Sequence, residues 1–123
     1  MTAAGVAVAG ALGALARYGI GVAFGPRQTN SFPVATFLIN VSGSFVLGLL
    51  AVLLTERFVV STSLRTSLTV GFLGAYTTFS TFSLETFRLM DDGALALAAV
   101  YVGGSVLLGL LAAYAGVLIG RAV

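Results

Sequence analysis

The chain has no cysteine and no histidine, and only 8% of its 123 residues are charged. Without cysteine no disulfide framework can form, so a small secreted scaffold is excluded. Without cysteine or histidine, and with no cluster among its four acids, there is no ligand set for zinc or iron. The same absences remove the usual general bases and nucleophiles, which argues against an enzyme. No Walker motif is present, so no ATP site is visible. An average soluble domain carries about 25% charged residues, and ten charged side chains cannot coat a chain of this size. The six basic residues are single arginines. They give a pI near 9.5 but no patch to hold phosphates, so no nucleic acid partner is expected.

What is present is apolar. Residues of the AVILMFWYC class make up 59% of the chain, and the mean hydropathy is +1.09. Three polar breaks interrupt it: Gly25 to Pro33, which holds both prolines; Glu56-Arg57 through Ser61-Thr62-Ser63 to Arg65; and Arg88-Leu89-Met90-Asp91-Asp92-Gly93. They leave apolar segments at roughly 3–24, 34–55, 66–87 and 94–120. Each reaches the length of about 20 residues that a bilayer-crossing helix needs. The expected architecture is a single all-α transmembrane domain over 1–123, with four helices joined by short loops and therefore antiparallel in sequence order. The first segment has no basic residue ahead of it and is read as a retained span, not a signal peptide.

The arginines barely specify an orientation. With four spans, Arg57, Arg65 and Arg121 fall on one side, and Arg17, Arg27 and Arg88 on the other. Orientation follows the excess of positive residues on the cytoplasmic side. A balanced count leaves two readings open: one fixed orientation, or insertion both ways so that opposite copies can pair. Among the sixteen glycines, Gly116 and Gly120 form a GxxxG pair, and small residues let helices in lipid approach closely. Tight packing within one bundle accounts for most of them.

Polar groups at membrane depth are costly unless paired or wetted. Thr36, Asn40 and Ser44 recur every four residues on the second segment, and Tyr101 and Ser105 share that spacing on the fourth. A serine or threonine can bond its own helix carbonyl. An amide has two donors and two acceptor sites and cannot be satisfied that way, so Asn40 is assigned to a polar path or a cross-helix bond. The third segment is the anomaly. Its centre reads Gly71-Phe72-Leu73-Gly74-Ala75-Tyr76-Thr77-Thr78-Phe79-Ser80-Thr81-Phe82-Ser83, with five serines and threonines after two glycines. Adjacent β-branched threonines are poor helix formers. A break there would free carbonyls suited to a hard cation and N–H groups suited to an anion. Phe79 and Phe82 share a face, and their electropositive ring edges could border an anion path as well as serve packing. Glu85 and Arg88 continue that row, as an ion pair or as functional groups.

These residues resemble the small bacterial fluoride channel family (Fluc, also called CrcB). The resemblance runs through Gly10 to Tyr18 on the first helix, Thr36 to Gly48 around Asn40 on the second, and Gly71 to Ser83 with Glu85 on the third. It implies an antiparallel, dual-topology homodimer in the bacterial plasma (inner) membrane, with a broken third helix and two fluoride pathways. It implies a structural sodium ion at the dimer centre, on the backbone carbonyls of Gly74 and Thr77. It places Asn40, Phe79, Phe82, Thr81, Ser83, Tyr101 and Ser105 along the fluoride pathway and Arg17 near a vestibule. Ala75 and Tyr76 stand where many members have glycine and leucine, Ala35 where many have glycine, and Gly109 has no hydroxyl to extend the fourth-helix track.

The chemistry suits that function. Fluoride is small and strongly hydrated, so a pore must replace its water with donors that do not hold it too well. Neutral amide and hydroxyl groups meet that need. The competing reading is a small proton-coupled multidrug exporter, also of four helices with dual topology. It needs an intramembrane carboxylate, and the candidate is Glu85, toward the end of its span. A non-transporting membrane scaffold would explain the glycines but not the hydroxyl-rich third segment.

Overall fold

The computed structural model describes residues 1–24 and 30–123. Among them every regular element is helical. Helix α1 spans Thr2–Ala23. Helix α2 spans Val34–Val52, begins directly after Pro33, and runs on through a π-helical turn at Leu53–Arg57. Helix α3 is short, Thr62–Thr66, and is opened by Ser61, whose Oγ accepts the Leu64 N–H at 3.2 Å as an N-cap should. A π-helical stretch at Ser67–Leu73 and the single turn of α4, Gly74–Tyr76, follow without a gap. The chain then goes extended and resumes as α5, Phe79–Asp91. Helix α6 runs over Leu95–Ala122.

The junction of α5 and α6 is set by one glycine. Gly93 has φ +79°, a conformation that favours a residue without Cβ. Its N–H donates to the Met90 carbonyl at 3.0 Å, and the Ala94 N–H donates to that of Leu89 at 2.8 Å. That pair of bonds is a Schellman cap, so the third polar break is a built helix stop.

Three stretches are helical, long and apolar enough to cross a membrane: Thr2–Ala23, Val34–Arg57 and Leu95–Ala122. The third apolar segment is different, because no uninterrupted helix in it reaches that length. Two seams hold the helices together. In the first, α2 lies along α6. A Cβ at Gly48 would strike the Ala113 carbonyl, and one at Gly116 would strike the Phe45 carbonyl. Gly120 sits over Leu49 and Val52, so the GxxxG pair joins two helices of one chain. In the second seam α1 packs on the π-helical stretch, where Gly13 meets the Phe72 carbonyl and Gly71 meets that of Val6. Helix α5 closes on α6 through a small core of Leu89, Ala98 and Tyr101.

One end of the bundle gathers the N-terminal turn against Ser63 and Ser67, and Arg57 against the Arg121 carbonyl. Arg57, Arg65 and Arg121 thus share an end, while Arg17 and Arg88 lie toward the other. Arg27, the sixth arginine of the count, and residues 25–29 of the first polar break lie outside the described residues. Large apolar side chains stand exposed along α1 (Leu15, Val22) and α6 (Leu107, Leu110, Leu111). Such faces suit lipid or protein, not water.

Candidate functional site

The break lies at Thr77 and Thr78. Thr77 has ψ 158° and Thr78 has φ −151°, ψ 113°, both extended. In an uninterrupted helix the Thr78 N–H would bond the Gly74 carbonyl and the Thr81 N–H that of Thr77. Here both are diverted to side chains. The Thr78 N–H donates to Asn40 Oδ1 at 2.8 Å, while Asn40 Nδ2 donates to the Thr78 carbonyl at 3.0 Å. One amide thus pairs with both polar groups of a single residue, which fixes its orientation. The Thr81 N–H donates to Thr78 Oγ1 at 3.3 Å, making Thr78 the N-cap of α5. The Thr78 hydroxyl in turn donates to Thr81 Oγ1 at 3.0 Å. Irregular backbone at membrane depth requires such substitute partners.

Two cavities flank the break, and Thr78 contributes to both walls. One, of about 360 Å³, is lined by Asn40, Gly74, Thr77, Phe79, Phe82 and Ser105, among others. The second, of about 380 Å³, is lined by Arg17, Tyr18, Thr36 and Thr81, among others, and so holds a fixed positive charge. Ser105 Oγ is buried and has no hydrogen-bond partner among the described residues. Most other hydroxyls nearby are occupied by their own helix: Ser44 by the Asn40 carbonyl at 2.7 Å, Thr77 by Leu73 at 2.9 Å, Ser83 by Phe79 at 2.9 Å. Ser105 is the exception, a buried hydroxyl on a residue that lines the cavity, with no bond to any described residue.

A third cluster lies beside these cavities. Glu85 is 3% exposed, Thr36 2% and Tyr101 0%. Thr36 Oγ1 donates to Glu85 Oε1 at 2.8 Å, and the Tyr101 hydroxyl donates to Glu85 Oε2 at 2.6 Å. This ties α2, α5 and α6 together at one carboxyl group. The ion pair with Arg88 is not formed: Glu85 points inward and Arg88 lies exposed one turn on.

The residues singled out in the sequence therefore separate into groups. Asn40, Phe79, Phe82, Ser105, Gly74 and Thr77 meet at the first cavity. Phe79 and Phe82 have ring centroids 5.7 Å apart, and Phe82 also leans on Tyr101 at 5.1 Å. Thr81 and Arg17 meet at the second cavity. Tyr101 lies behind Phe82 with its hydroxyl on Glu85, and is not among the residues lining either cavity. Ser83 is exposed, bonded to its own helix, and also lines neither. Three residues take roles that the sequence reading did not assign to them. Thr78 looked like a second helix-weakening threonine, and no one-dimensional signal marks it as a cap. Thr36 had a signal, its four-residue spacing from Asn40. Glu85 was read along its own helix row, whereas its partners come from helices distant in sequence.

The fold and site define a small, multi-pass, all-helical membrane protein whose interrupted helix is pinned by a neighbouring amide between two cavities. The profile of one family, described as CrcB-like protein, Camphor Resistance (CrcB), matches residues 4–117. Individual relatives agree. A protein of Magnetococcus marinus named fluoride-specific ion channel FluC is 48% identical over 121 residues, covering 98% of each chain. One of the same name from Acidobacterium capsulatum is 46% identical, covering 94% of this chain and 93% of its own. Another from Nitrobacter winogradskyi is 47% identical, covering 96% and 94%. The chain belongs to the CrcB family.

Proposed function

We propose that this chain forms a fluoride-selective channel that lets the anion leave the cytoplasm passively. The observation that carries the reading is the buried, unpartnered hydroxyl of Ser105 in a cavity bordered by Asn40, Phe79 and Phe82. The relatives named as fluoride-specific channels support it across nearly the whole chain. A hydroxyl donor and electropositive ring edges can replace the water of a small anion without a full positive charge that would retain it. Among the described residues that line the two cavities the one guanidinium is that of Arg17, in the second, where it can attract anions without lining the first. A membrane potential of 100 mV, negative inside, drives a monovalent anion outward with about 2.3 kcal/mol, so no coupled ion is needed. The reading is of a channel and not an enzyme.

The assembly is part of the proposal: two copies in opposite orientation in the bacterial plasma membrane, with the broken segment as the fourth crossing. The three-to-three arginine count supports it, and the exposed apolar faces of α1 and α6 and the 79% exposed Phe79 suit cover by lipid or by a second copy. The donor set at the break fits a sodium ion. The carbonyls of Gly74 and Thr77 have lost their helical N–H donors to Asn40 and Thr78, both residues line one cavity, and among the described residues no carboxylate lines it with them. Hard cations prefer oxygen ligands, and two copies would supply four. A bound sodium ion would add a fixed positive charge beside the anion path.

Purified protein in liposomes is expected to release fluoride rapidly and chloride at a small fraction of that rate. Equal rates overturn the selectivity. Flux that demands a proton gradient would instead favour the exporter, for which the buried Glu85 would be the candidate carrier.

A further inference from the structure

Two of the N–H groups turned away from the helix at the break belong to Thr78 and Thr81, and the carbonyls they would have bonded belong to Gly74 and Thr77. Each diversion is made by a side chain: the Asn40 amide takes the first at 2.8 Å, and the Thr78 hydroxyl takes the second at 3.3 Å. Neither is a chance contact on a mobile surface. Thr78 is 7% exposed, and its carbonyl is tied back to Asn40 Nδ2 at 3.0 Å. Its hydroxyl is further fixed by donating to Thr81 Oγ1 at 3.0 Å. Opposite the break, α2 leaves no slack: a Cβ at Gly43 would collide with Thr77 Cγ2 and lie 3.2 Å from the Tyr76 ring.

We infer that Asn40 and Thr78 are positioning residues for the sodium site: by capturing the N–H groups of Thr78 and Thr81, they keep the Gly74 and Thr77 carbonyls free to bind the cation. The inference rests on the sodium reading above and adds to it which side chains create the site, although neither side chain is a ligand. It also gives Asn40 a second task besides lining the cavity. If the hydroxyl of Thr78 is removed, the Thr81 N–H loses its acceptor, and the Thr77 carbonyl is the nearest helical alternative. The break can then close by one hydrogen bond, and a carbonyl is withdrawn from the cation. Partners that orient ligands in this way typically change metal affinity by about 10–100-fold when removed.

The test uses the full-length chain purified in detergent, with sodium replaced stepwise by N-methylglucamine. The readout is the sodium concentration that half-saturates the rise in melting temperature. In Thr78→Val it should rise by at least about tenfold. In Thr78→Ser, which keeps the capping hydroxyl, it should stay close to that of the unmodified protein. Ser83→Ala, at a residue that lines neither cavity and bonds only its own helix, should leave it unchanged. A purely structural cap predicts something else: Thr78→Val melts lower at every sodium concentration with the half-saturating value unmoved, and that result overturns the inference. A wild-type melting temperature indifferent to sodium overturns the sodium reading itself, and the inference with it. Should Thr78→Val fail to fold, the unmodified protein still decides. Asparagine occurs only at positions 30 and 40, so selective ¹⁵N-asparagine labelling reports Asn40 directly. Its side-chain amide signal should move by more than a linewidth on sodium removal while that of Asn30 stays. An unmoved Asn40 signal in protein that melts sodium-dependently overturns the inference.

Discussion

Along α2 and α6 the backbones meet through glycine: Gly48 lies against the Ala113 carbonyl and Gly116 against that of Phe45. At Thr77-Thr78 the backbone meets side chains instead, and its N–H and carbonyl groups are completed by an amide and a hydroxyl. Both regions sit in the same apolar chain and face the same penalty for unpaired polar groups. The first meets it with an unbroken helix and leaves shape as the variable. The second gives up helical bonds, borrows partners from α2 and from its own hydroxyls, and gains carbonyls and a cavity. The difference teaches where substitutions should be felt. The seam tolerates polarity poorly and size not at all. The break depends on each hydrogen bond.

The largest effect should come from forcing a side chain into the seam. In Gly116→Val, the new Cβ would collide with the Phe45 carbonyl and lie 2.8 Å from the Leu49 nitrogen, and backbone atoms cannot swing aside. Overpacking typically costs about 1–3 kcal/mol, more when no neighbour can repack. Recovery of monodisperse protein from detergent should fall sharply, and what remains should melt well below the unmodified chain. Gly109→Ala is the contrast on the same helix. Its Cβ would sit 3.7 Å from Ser44 Oγ, an ordinary contact, so yield and melting temperature should hold. Equal damage from both would show that the seam is not what the glycines serve.

An intermediate effect should separate the two phenylalanines. Phe82 leans on the fully buried Tyr101, whereas Phe79 is 79% exposed in the single chain. Phe82→Ile should lower both fluoride efflux and melting temperature, because it removes a ring edge and an aromatic contact worth about 0.5–1.5 kcal/mol. Phe79→Ile should lower efflux per folded protein with a smaller change in melting temperature. If Phe79→Ile mainly destabilises and leaves flux per folded protein intact, the ring serves packing against a second copy and not the anion path.

What could be read from the sequence follows the same divide. Segment positions were legible because burial in lipid demands long apolar runs, and proline, glycine and charge mark where they stop. The break was legible as an anomaly of composition at Thr77-Thr78. Its bonding was not, because Asn40 and Thr78 lie 38 residues apart and nothing in local spacing says which amide meets which peptide. Glu85, left open in the sequence between an ion pair with Arg88 and a functional role, is decided by contacts of the same long-range kind. Its neighbour in the helix row is Arg88, but the row does not say which way it faces, and the face turned inward carries Glu85 to Thr36 and Tyr101. Spacing along one helix predicts a shared face. It does not predict what that face meets.

The smallest effect is the sharpest test of which hydroxyls matter. Ser83 and Ser105 were placed on the same pathway by resemblance, yet their surroundings differ. Ser83 is exposed and donates to the Phe79 carbonyl at 2.9 Å; the Oγ of the half-buried Ser105 is covered at the first cavity with no partner among the described residues. A hydroxyl that bonds its own helix and faces outward contributes little, so Ser83→Ala should change melting temperature by less than the equivalent of about 0.5 kcal/mol and leave efflux unaltered. Ser105→Ala removes a buried group that has nothing to bond, so it should be neutral or slightly stabilising, since an unsatisfied polar group costs about 1–3 kcal/mol. Efflux should nevertheless fall, because the anion loses a donor that water or the protein does not otherwise supply. A stability gain paired with a flux loss is the signature of a group kept for its ligand. If Ser105→Ala conducts normally while Ser83→Ala does not, the pathway runs along the outer face of α5 and the first cavity is only a packing gap.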